Sequence, residues 1–191
     1  MHIFEETCKV IAEQINHGLT PVPISTNFSR AHMYNQNFAK QLAEIVGKYN
    51  IPPHLLEIEI TESAFSSNQQ LLHNLIESLH GYGFLVSVDD FGSGYSSLNL
   101  IKEIRFDIIK IDQVFFRYTG SSARTKSVVQ CIIALAKELG MRTVAEGVET
   151  EEQFRFLKEN QCDTIQGFYF SKPLEKAIFT ELLASNDSAD I

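Results

Sequence analysis

Hydrophobic positions along the chain alternate between a helical period and short continuous runs, which predicts alternating helices and strands. Apolar residues at helical spacing predict helices over 3–17, 37–49, 69–80, 125–139, 150–158 and 175–184. Short β-branched runs predict strands over 22–26, 55–60, 84–88, 107–111, 141–145 and 163–165, with 168–170 as an extension of the last. Because helices separate most of these strands, the pattern predicts a parallel sheet with crossover helices.

Polar side chains lie at the carboxyl end of each predicted strand, and this distribution favours one type of parallel sheet. They are Asn27, Glu59, Asp89 with Asp90, Lys110, Glu146 and Gln166. An open doubly wound sheet places functional groups only beside its switch point, whereas a barrel collects all strand ends around one axis. We therefore predict an α/β protein with a (β/α)₈ TIM-like barrel, incomplete and lacking the first one or two strands. The barrel domain would cover 1–184, with 185–191 as a frayed tail.

Two adjacent carboxylates, Asp89 and Asp90, directly follow the predicted strand 84–88. Adjacent acids repel each other, and a divalent cation between them would remove that cost. All the candidate ligands at the strand ends are oxygen donors, which suit Mg²⁺ or Mn²⁺ better than Zn²⁺. Two such ions would suit in-line attack of water on a phosphodiester. Lys110 would then orient the water or neutralise charge on the phosphate.

Structural roles compete with this chemistry at several positions. Lys110 interrupts an apolar strand, so a structural salt bridge to a buried carboxylate is the alternative to a catalytic role. Asn27 could begin a turn. Glu146 and Glu149 could cap the helix that follows them.

Two further acids are expected to have ordinary structural roles. Glu57 lies on the same predicted strand as Glu59 and is expected to be a solvated charge or a member of an ion pair. Asp112 follows the strand that carries Lys110 and is expected to cap a helix.

The composition of the chain excludes some classes of function and indicates a cellular location. The chain has 191 residues, a net charge of −8 and no basic stripe, which excludes a bare binder of polymeric nucleic acid. No apolar run approaches the length of a membrane span. The widely spaced Cys8, Cys131 and Cys162 are typical of reduced thiols in a cytoplasmic protein.

Six motifs in order resemble those of the EAL domain, the bacterial cyclic di-GMP phosphodiesterase. The resemblance runs over residues 3–174. The matching segments are TNFS at 26–29, LEIEITES at 56–63, DDFGSGYSSL at 89–98, IKID at 109–112, VAEGVET at 144–150 and IQG at 165–167.

This resemblance implies a (β/α)₈-like barrel that hydrolyses cyclic di-GMP to linear pGpG with two Mg²⁺ or Mn²⁺ ions. It implies a metal shell made of Asn27, Glu59, Asp89, Asp90 and Glu146. It also implies that Lys110 and Gln166 contact the water network at the metals. Glu149 resembles the residue that braces the loop after Asp90, which in the family couples the site to a dimer interface.

The chain departs from the family in one respect that bears on activity. The Glu-Ala-Leu motif is absent, and with it one metal ligand and an arginine that contacts the substrate phosphate. We therefore expect an N-terminally truncated phosphodiesterase barrel, either cut short or completed by an upstream or partner segment. The alternatives are a degenerate, non-catalytic domain that senses cyclic di-GMP or docks a protein, and a fragment without an independent role. Open strand edges predict a homodimer, or pairing with another chain or an upstream domain.

Overall fold

Short apolar strands alternate with amphipathic helices and form a six-stranded parallel sheet. The structure is a computed structural model that describes residues 1–61, 68–91, 101–115 and 123–187, without the side chains of Arg30, Met33, Asn186 and Asp187. The strands are β1 Ile24–Phe28, β2 Leu56–Thr61, β3 Leu85–Phe91, β4 Ile108–Ile111, β5 Arg142–Ala145 and β6 Thr164–Ile165. The helices are α1 His2–Asn16, α2 Phe38–Tyr49, α3 Gln69–Gly81, α4 Ala123–Glu138, α5 Glu151–Glu159 and α6 Lys176–Asp187. Short 3₁₀ helices cover Arg30–Tyr34, Pro53–Leu55 and Gln113–Phe115.

The order of strands in the sheet is the order of strands in the chain, from β1 to β6, and each neighbouring pair is parallel. A doubly wound sheet reverses its order at a switch point, so this succession is the wall of a barrel. Ser25 at one edge of the sheet and Thr164 at the other line the same cavity of about 320 Å³. The sheet therefore wraps around an interior, although β1 and β6 do not pair with each other in the described residues. The predicted fold class is confirmed.

The two faces of the sheet have opposite character because side chains alternate along each strand. The outward face is apolar and packs against the helices, as Ile58, Val86 and Ile109 are each fully buried beside Phe4 and Leu72 in one core. The inward face carries the polar side chains of the same strands. The hydrophobic core thus lies between sheet and helices, and it leaves the barrel interior to charged groups.

β3 ends three residues later than the sequence pattern predicts, and this changes the setting of the two adjacent acids. Asp89 and Asp90 lie within β3, which extends to Phe91. The pairing of β3 with β4 shifts register between Val88 and Phe91, and Asp90 has a φ of 56°. Positive φ is uncommon for residues other than glycine, and Asp is one of those that tolerate it. The strand therefore bends at the acid pair.

Three other boundaries differ from prediction. β1 begins and ends two residues later than predicted, so Asn27 lies inside the strand and not after it. Residues 168–170 form a turn, and their predicted role as a strand extension is wrong. α6 continues to Asp187, and the rest of the predicted tail, 188–191, lies outside the described residues. Among the helices that the structure describes, none has the length and apolar character needed to cross a bilayer.

Candidate active site

Charged side chains from four consecutive strands meet around Lys110 at the carboxyl ends of the sheet. The Lys110 ammonium, on β4, donates a short hydrogen bond to Glu59 on β2. It contacts Glu146 Oε1, just after β5, at 2.6 Å, and it lies 3.9 Å from Asp89 Oδ1 on β3. Glu59 is only 2% exposed and Lys110 is 7% exposed. One buried ammonium therefore faces three carboxylates, and two negative charges remain uncompensated.

The environment keeps Lys110 charged. Burial alone lowers the pKa of Lys110, but hydrogen bonds and Coulomb attraction to Glu146 and Glu59 outweigh it and raise the pKa above the usual range. Burial raises the pKa of Glu146; the contact with Lys110 opposes this shift, and the nearby charges of Asp89 and Glu59 add to it. Lys110 thus stays protonated, and its contact with Glu146 favours the ionised form of that carboxyl against the effect of burial.

Asp90 lies in a second pair of carboxyl groups beside this cluster. Burial raises the pKa of Asp90, and the nearby carboxyl groups of Asp89 and Asp112 raise it further. Asp112 accepts a hydrogen bond from the Val114 amide at 2.6 Å, which confirms its predicted role as a cap. Its position near Asp90 was not predicted, although Asp112 follows Lys110 by two residues, the step that places side chains on one face of an extended chain.

The two remaining polar residues at strand ends, Asn27 and Gln166, lie at β1 and β6, the strands at the edges of the sheet. Asn27 pairs in register with Glu59 across β1 and β2, and it is exposed. Gln166 directly follows β6, and its side chain lines the interior cavity together with Lys110. The structure therefore places all the predicted site residues on one rim, with the contacts described above joining Glu59, Asp89, Lys110 and Glu146.

Two glycines allow the segments that carry Glu146 and Gln166 to approach each other. Gly147 has a φ of 67°, and a Cβ atom there would lie 2.5 Å from the Cβ of Gln113. A Cβ atom on Gly167 would overlap the backbone of Val148. The Val148 amide donates to the Gln166 carbonyl at 3.1 Å, so this close crossing is held by the main chain.

Glu149 is exposed, and its backbone amide donates to Gln153 Oε1 at 2.8 Å at the start of α5. Thr150 caps this helix through a complete capping box with Gln153. The loop that Glu149 was predicted to brace, 92–100, lies outside the described residues. Its bracing role therefore stays a prediction.

Glu57 contradicts its predicted role as a solvated or ion-paired acid. It is 8% exposed, and its Oε1 atom has no hydrogen-bond partner among the described residues. Burial raises the pKa of Glu57; the nearby Ser87 hydroxyl partly offsets the shift, although the two groups do not reach hydrogen-bonding geometry. Glu57 lies two residues before Glu59 on β2, so both side chains face the inside of the sheet. This two-residue spacing was the feature of the sequence that could have indicated the burial of Glu57.

The donor set fits a hard cation in its chemistry, because every candidate ligand offers oxygen. Within the described ranges, however, no group of three or more His, Cys, Asp or Glu residues is arranged to hold a metal ion. In this cluster Glu59, Asp89 and Glu146 lie around the Lys110 ammonium.

A wall of parallel strands in chain order, with acids and one lysine at its carboxyl rim, defines a TIM-barrel-like α/β domain with an acidic rim. A family model for the EAL domain matches residues 1–173. The chain belongs to the EAL domain family, which confirms the resemblance seen in the six motifs.

Known proteins agree with this assignment. The chain is 32% identical to the cyclic di-GMP phosphodiesterase NbdA of Pseudomonas aeruginosa, over 95% of this chain and 23% of NbdA. It therefore spans about a quarter of the length of that curated relative. A crystal structure of the EAL domain of Mycobacterium smegmatis DcpA is 32% identical, with a TM-score of 0.90, over 95% of this chain and 82% of that domain.

Ligand complexes are among the similar structures. The PaMucR phosphodiesterase in complex with c-di-GMP is 29% identical, with a TM-score of 0.86, over 93% of this chain and 72% of that one. Klebsiella pneumoniae BlrP1, in a complex with manganese and cyclic di-GMP, is 26% identical, with a TM-score of 0.81, over 91% of this chain and 44% of that one.

Proposed function

We propose that this domain hydrolyses cyclic di-GMP to linear pGpG with Mg²⁺ or Mn²⁺ as cofactor. The observation that carries the proposal is the charged cluster in which Lys110 meets Glu59, Asp89 and Glu146 at the strand ends. The EAL relatives that are named as cyclic di-GMP phosphodiesterases support the choice of substrate. The manganese complex of BlrP1 supports the choice of cofactor.

In this proposal the oxygen atoms of five residues would hold the cations: Asn27, Glu59, Asp89, Asp90 and Glu146. A bound divalent cation supplies positive charge against the phosphate and makes water a better nucleophile near neutral pH. Lys110 keeps a positive charge in a buried place, where it stabilises negative charge that develops on the phosphate. Gln166, beside the same cavity, orients water by hydrogen bonding.

The proposed partners follow from the edges of the sheet. β1 and β6 have no further strand beyond them in the described part of the chain. Exposed strand edges pair readily with other strands, so we propose a homodimer, or pairing with another chain or an upstream domain, with Glu149 bracing the loop near that interface. The three free cysteines support a cytoplasmic location.

Hydrolysis and binding measured side by side test this function. The chain is incubated with cyclic di-GMP and Mg²⁺ or Mn²⁺, and pGpG is quantified by chromatography. We expect turnover, and a loss of about 100-fold or more in Asp89→Asn because Asp89 is one of the residues proposed to hold the cation, and an amide holds a divalent cation less strongly than a carboxylate. Glu138→Gln, an equal change of charge at an exposed helix end, is the control and should keep full turnover. Turnover that survives Asp89→Asn would contradict the assigned site.

A non-catalytic sensor of cyclic di-GMP is the second candidate function. It is favoured by one observation: the Lys110 ammonium, a cation of the chain itself, contacts Glu59 and Glu146 at the rim. Calorimetric binding of cyclic di-GMP without pGpG formation under either cation would establish the sensor and exclude the enzyme.

A further inference from the structure

One acid of the barrel interior has no part in the rim cluster. Glu57 is 8% exposed and lines the cavity of about 320 Å³, and its Oε1 atom has no hydrogen-bond partner among the described residues. A buried carboxylate without a partner destabilises a fold, and a ligand that pairs with it would offset this cost. Lys110 lines the same cavity, but its ammonium contacts Glu59 and Glu146. Glu57 therefore remains available to a ligand.

A positive side chain lines the same cavity. Arg142 lies at the start of β5, and Coulomb attraction to its guanidinium acts on the Glu57 carboxyl. Arg142 does not bond to the unpartnered Oε1 atom of Glu57. The cavity thus presents one negative and one positive group that a ligand could bridge.

The cavity has a buried floor and an open mouth. Glu57 and Ile108 at the floor are buried, whereas Arg142 and Thr164 at the mouth are exposed. Ser25 on β1 and Thr164 on β6 bring hydroxyl groups to the mouth from the two edge strands. Apolar side chains line the remaining walls: Val22, Pro23, Ile108 and Val144. A ligand can therefore enter beside the edge strands and reach Glu57 without passing the rim.

Charge and size select the class of ligand. A simple cation would be repelled by Arg142 and a simple anion by Glu57, whereas a zwitterion pairs with both. A guanidinium binds a carboxylate through two parallel hydrogen bonds, and an ammonium donates a charge-assisted hydrogen bond to a carboxylate. A volume of about 320 Å³ lies at the lower end of the range for ligand pockets. The apolar walls disfavour a third charged group on the ligand.

We propose that the barrel interior binds a small apolar α-amino acid, whose ammonium pairs with Glu57 and whose carboxylate pairs with Arg142. The side chain of the ligand lies against Val22, Pro23 and Val144. This site lies beneath the rim, and the inference goes beyond the proposed hydrolysis and does not depend on it.

Ligands that lack one charge test the pairing. Isothermal titration calorimetry, without divalent cation or cyclic di-GMP, compares L-leucine with N-acetyl-L-leucine, which lacks the ammonium, and L-leucinamide, which lacks the carboxylate. We expect saturable binding of L-leucine, and binding at least about tenfold weaker for each analogue, because each loses one charge-assisted contact. Binding of either analogue as tight as that of L-leucine overturns the proposal. So does the absence of binding for all of L-alanine, L-valine, L-leucine and L-phenylalanine.

Matched variants assign each charge to its residue. Glu57→Gln should weaken L-leucine binding at least about tenfold and leave N-acetyl-L-leucine binding unchanged, whereas Arg142→Gln should weaken L-leucine and leave L-leucinamide unchanged. Arg155→Gln is the control, because Arg155 pairs with Glu151 on the surface of α5, and it should match the parent. If either cavity variant binds L-leucine like the parent, or weakens all three ligands equally, the proposal fails.

A thermal readout checks the same variants by a second route. L-leucine should raise the melting temperature of the parent and of Arg155→Gln, and it should leave that of Glu57→Gln unchanged. An equal rise in the parent and in Glu57→Gln would overturn the proposal. None of these measurements uses a divalent cation or pGpG formation, so their failure would leave the proposed function intact.

Discussion

Two glutamates on one face of β2 should respond in opposite ways to the same substitution. Glu59 and Glu57 are both buried, two residues apart, and both face the barrel interior. Glu59 accepts a short hydrogen bond from Lys110, whereas the Oε1 atom of Glu57 has no partner among the described residues. Replacement by glutamine keeps the shape of each side chain and removes its charge. Comparison of the two variants therefore isolates the effect of the hydrogen bond from Lys110, which only Glu59 accepts.

The expected magnitudes follow from these contacts. In Glu59→Gln a charge-assisted hydrogen bond becomes a weaker one, while Lys110 keeps Glu146 at 2.6 Å. Hydrogen bonds to charged groups contribute about 1.5–3 kcal/mol, so we expect a loss of about 2 kcal/mol in the free energy of unfolding. In Glu57→Gln an unpaired buried charge becomes a neutral amide. Because burial of an unpaired charge costs more than burial of an amide, we expect a gain of about 1 kcal/mol.

The pH dependence gives a second check on Glu57. Burial raises the pKa of Glu57 above its ordinary value of 4.5. Above the raised pKa both the folded and the unfolded chain carry this charge, but only the folded protein bears the cost of burying it. As the pH falls through the raised pKa, Glu57 takes up a proton and the cost disappears. The advantage of Glu57→Gln should therefore be largest near pH 8 and should shrink on acidification.

Urea unfolding followed by circular dichroism at several pH values measures both variants against the parent, in metal-free buffer. The m-values should agree, so that the midpoints report stability. Two variants that shift the midpoint in the same direction, or by equal amounts, would refute the distinction between the paired and the unpaired acid.

Two further substitutions test the segments that position the rim. Gly167→Ala should destabilise the fold by about 2 kcal/mol or more, since its Cβ would overlap the backbone of Val148; an unchanged midpoint in urea unfolding would contradict that close crossing. Thr150→Ala should cost about 1 kcal/mol because it removes the hydrogen bond to the Gln153 amide at the start of α5, whereas Thr150→Ser should keep most of the stability. If serine and alanine proved equivalent at this position, the cap would not contribute.

Most of the architecture was predictable because local patterns encode it. Strand positions follow from short β-branched runs, and their parallel arrangement follows from the helices between them. β3 shows where such patterns fall short. Its apolar pattern ends at Val88, but pairing with β4 continues to Phe91 across a register shift. Pairing with β4 supplies backbone hydrogen bonds that the hydrophobic pattern does not reveal, so β3 extends beyond its apolar residues.

Local sequence patterns also do not reveal the environment of the acidic side chains. Sequence position indicated that Glu59, Asp89 and Glu146 gather at one rim, because carboxyl ends of parallel strands lie on one side of a sheet. It did not indicate that Glu57 Oε1 is buried without a hydrogen-bond partner among the described residues, or that Asp112 lies near Asp90. Burial and pairing of a charged group depend on what the other strands place opposite it.

The amino-acid sequence by itself determined the class of fold, the family and the set of oxygen donors at the strand ends. Only the tertiary structure decided how these charges are balanced. It placed the Lys110 ammonium between Glu59 and Glu146, and it left Glu57 facing a cavity. The physical reason is range: hydrophobic periodicity is a property of neighbouring residues, whereas charge compensation depends on atoms that the fold brings together from four different strands.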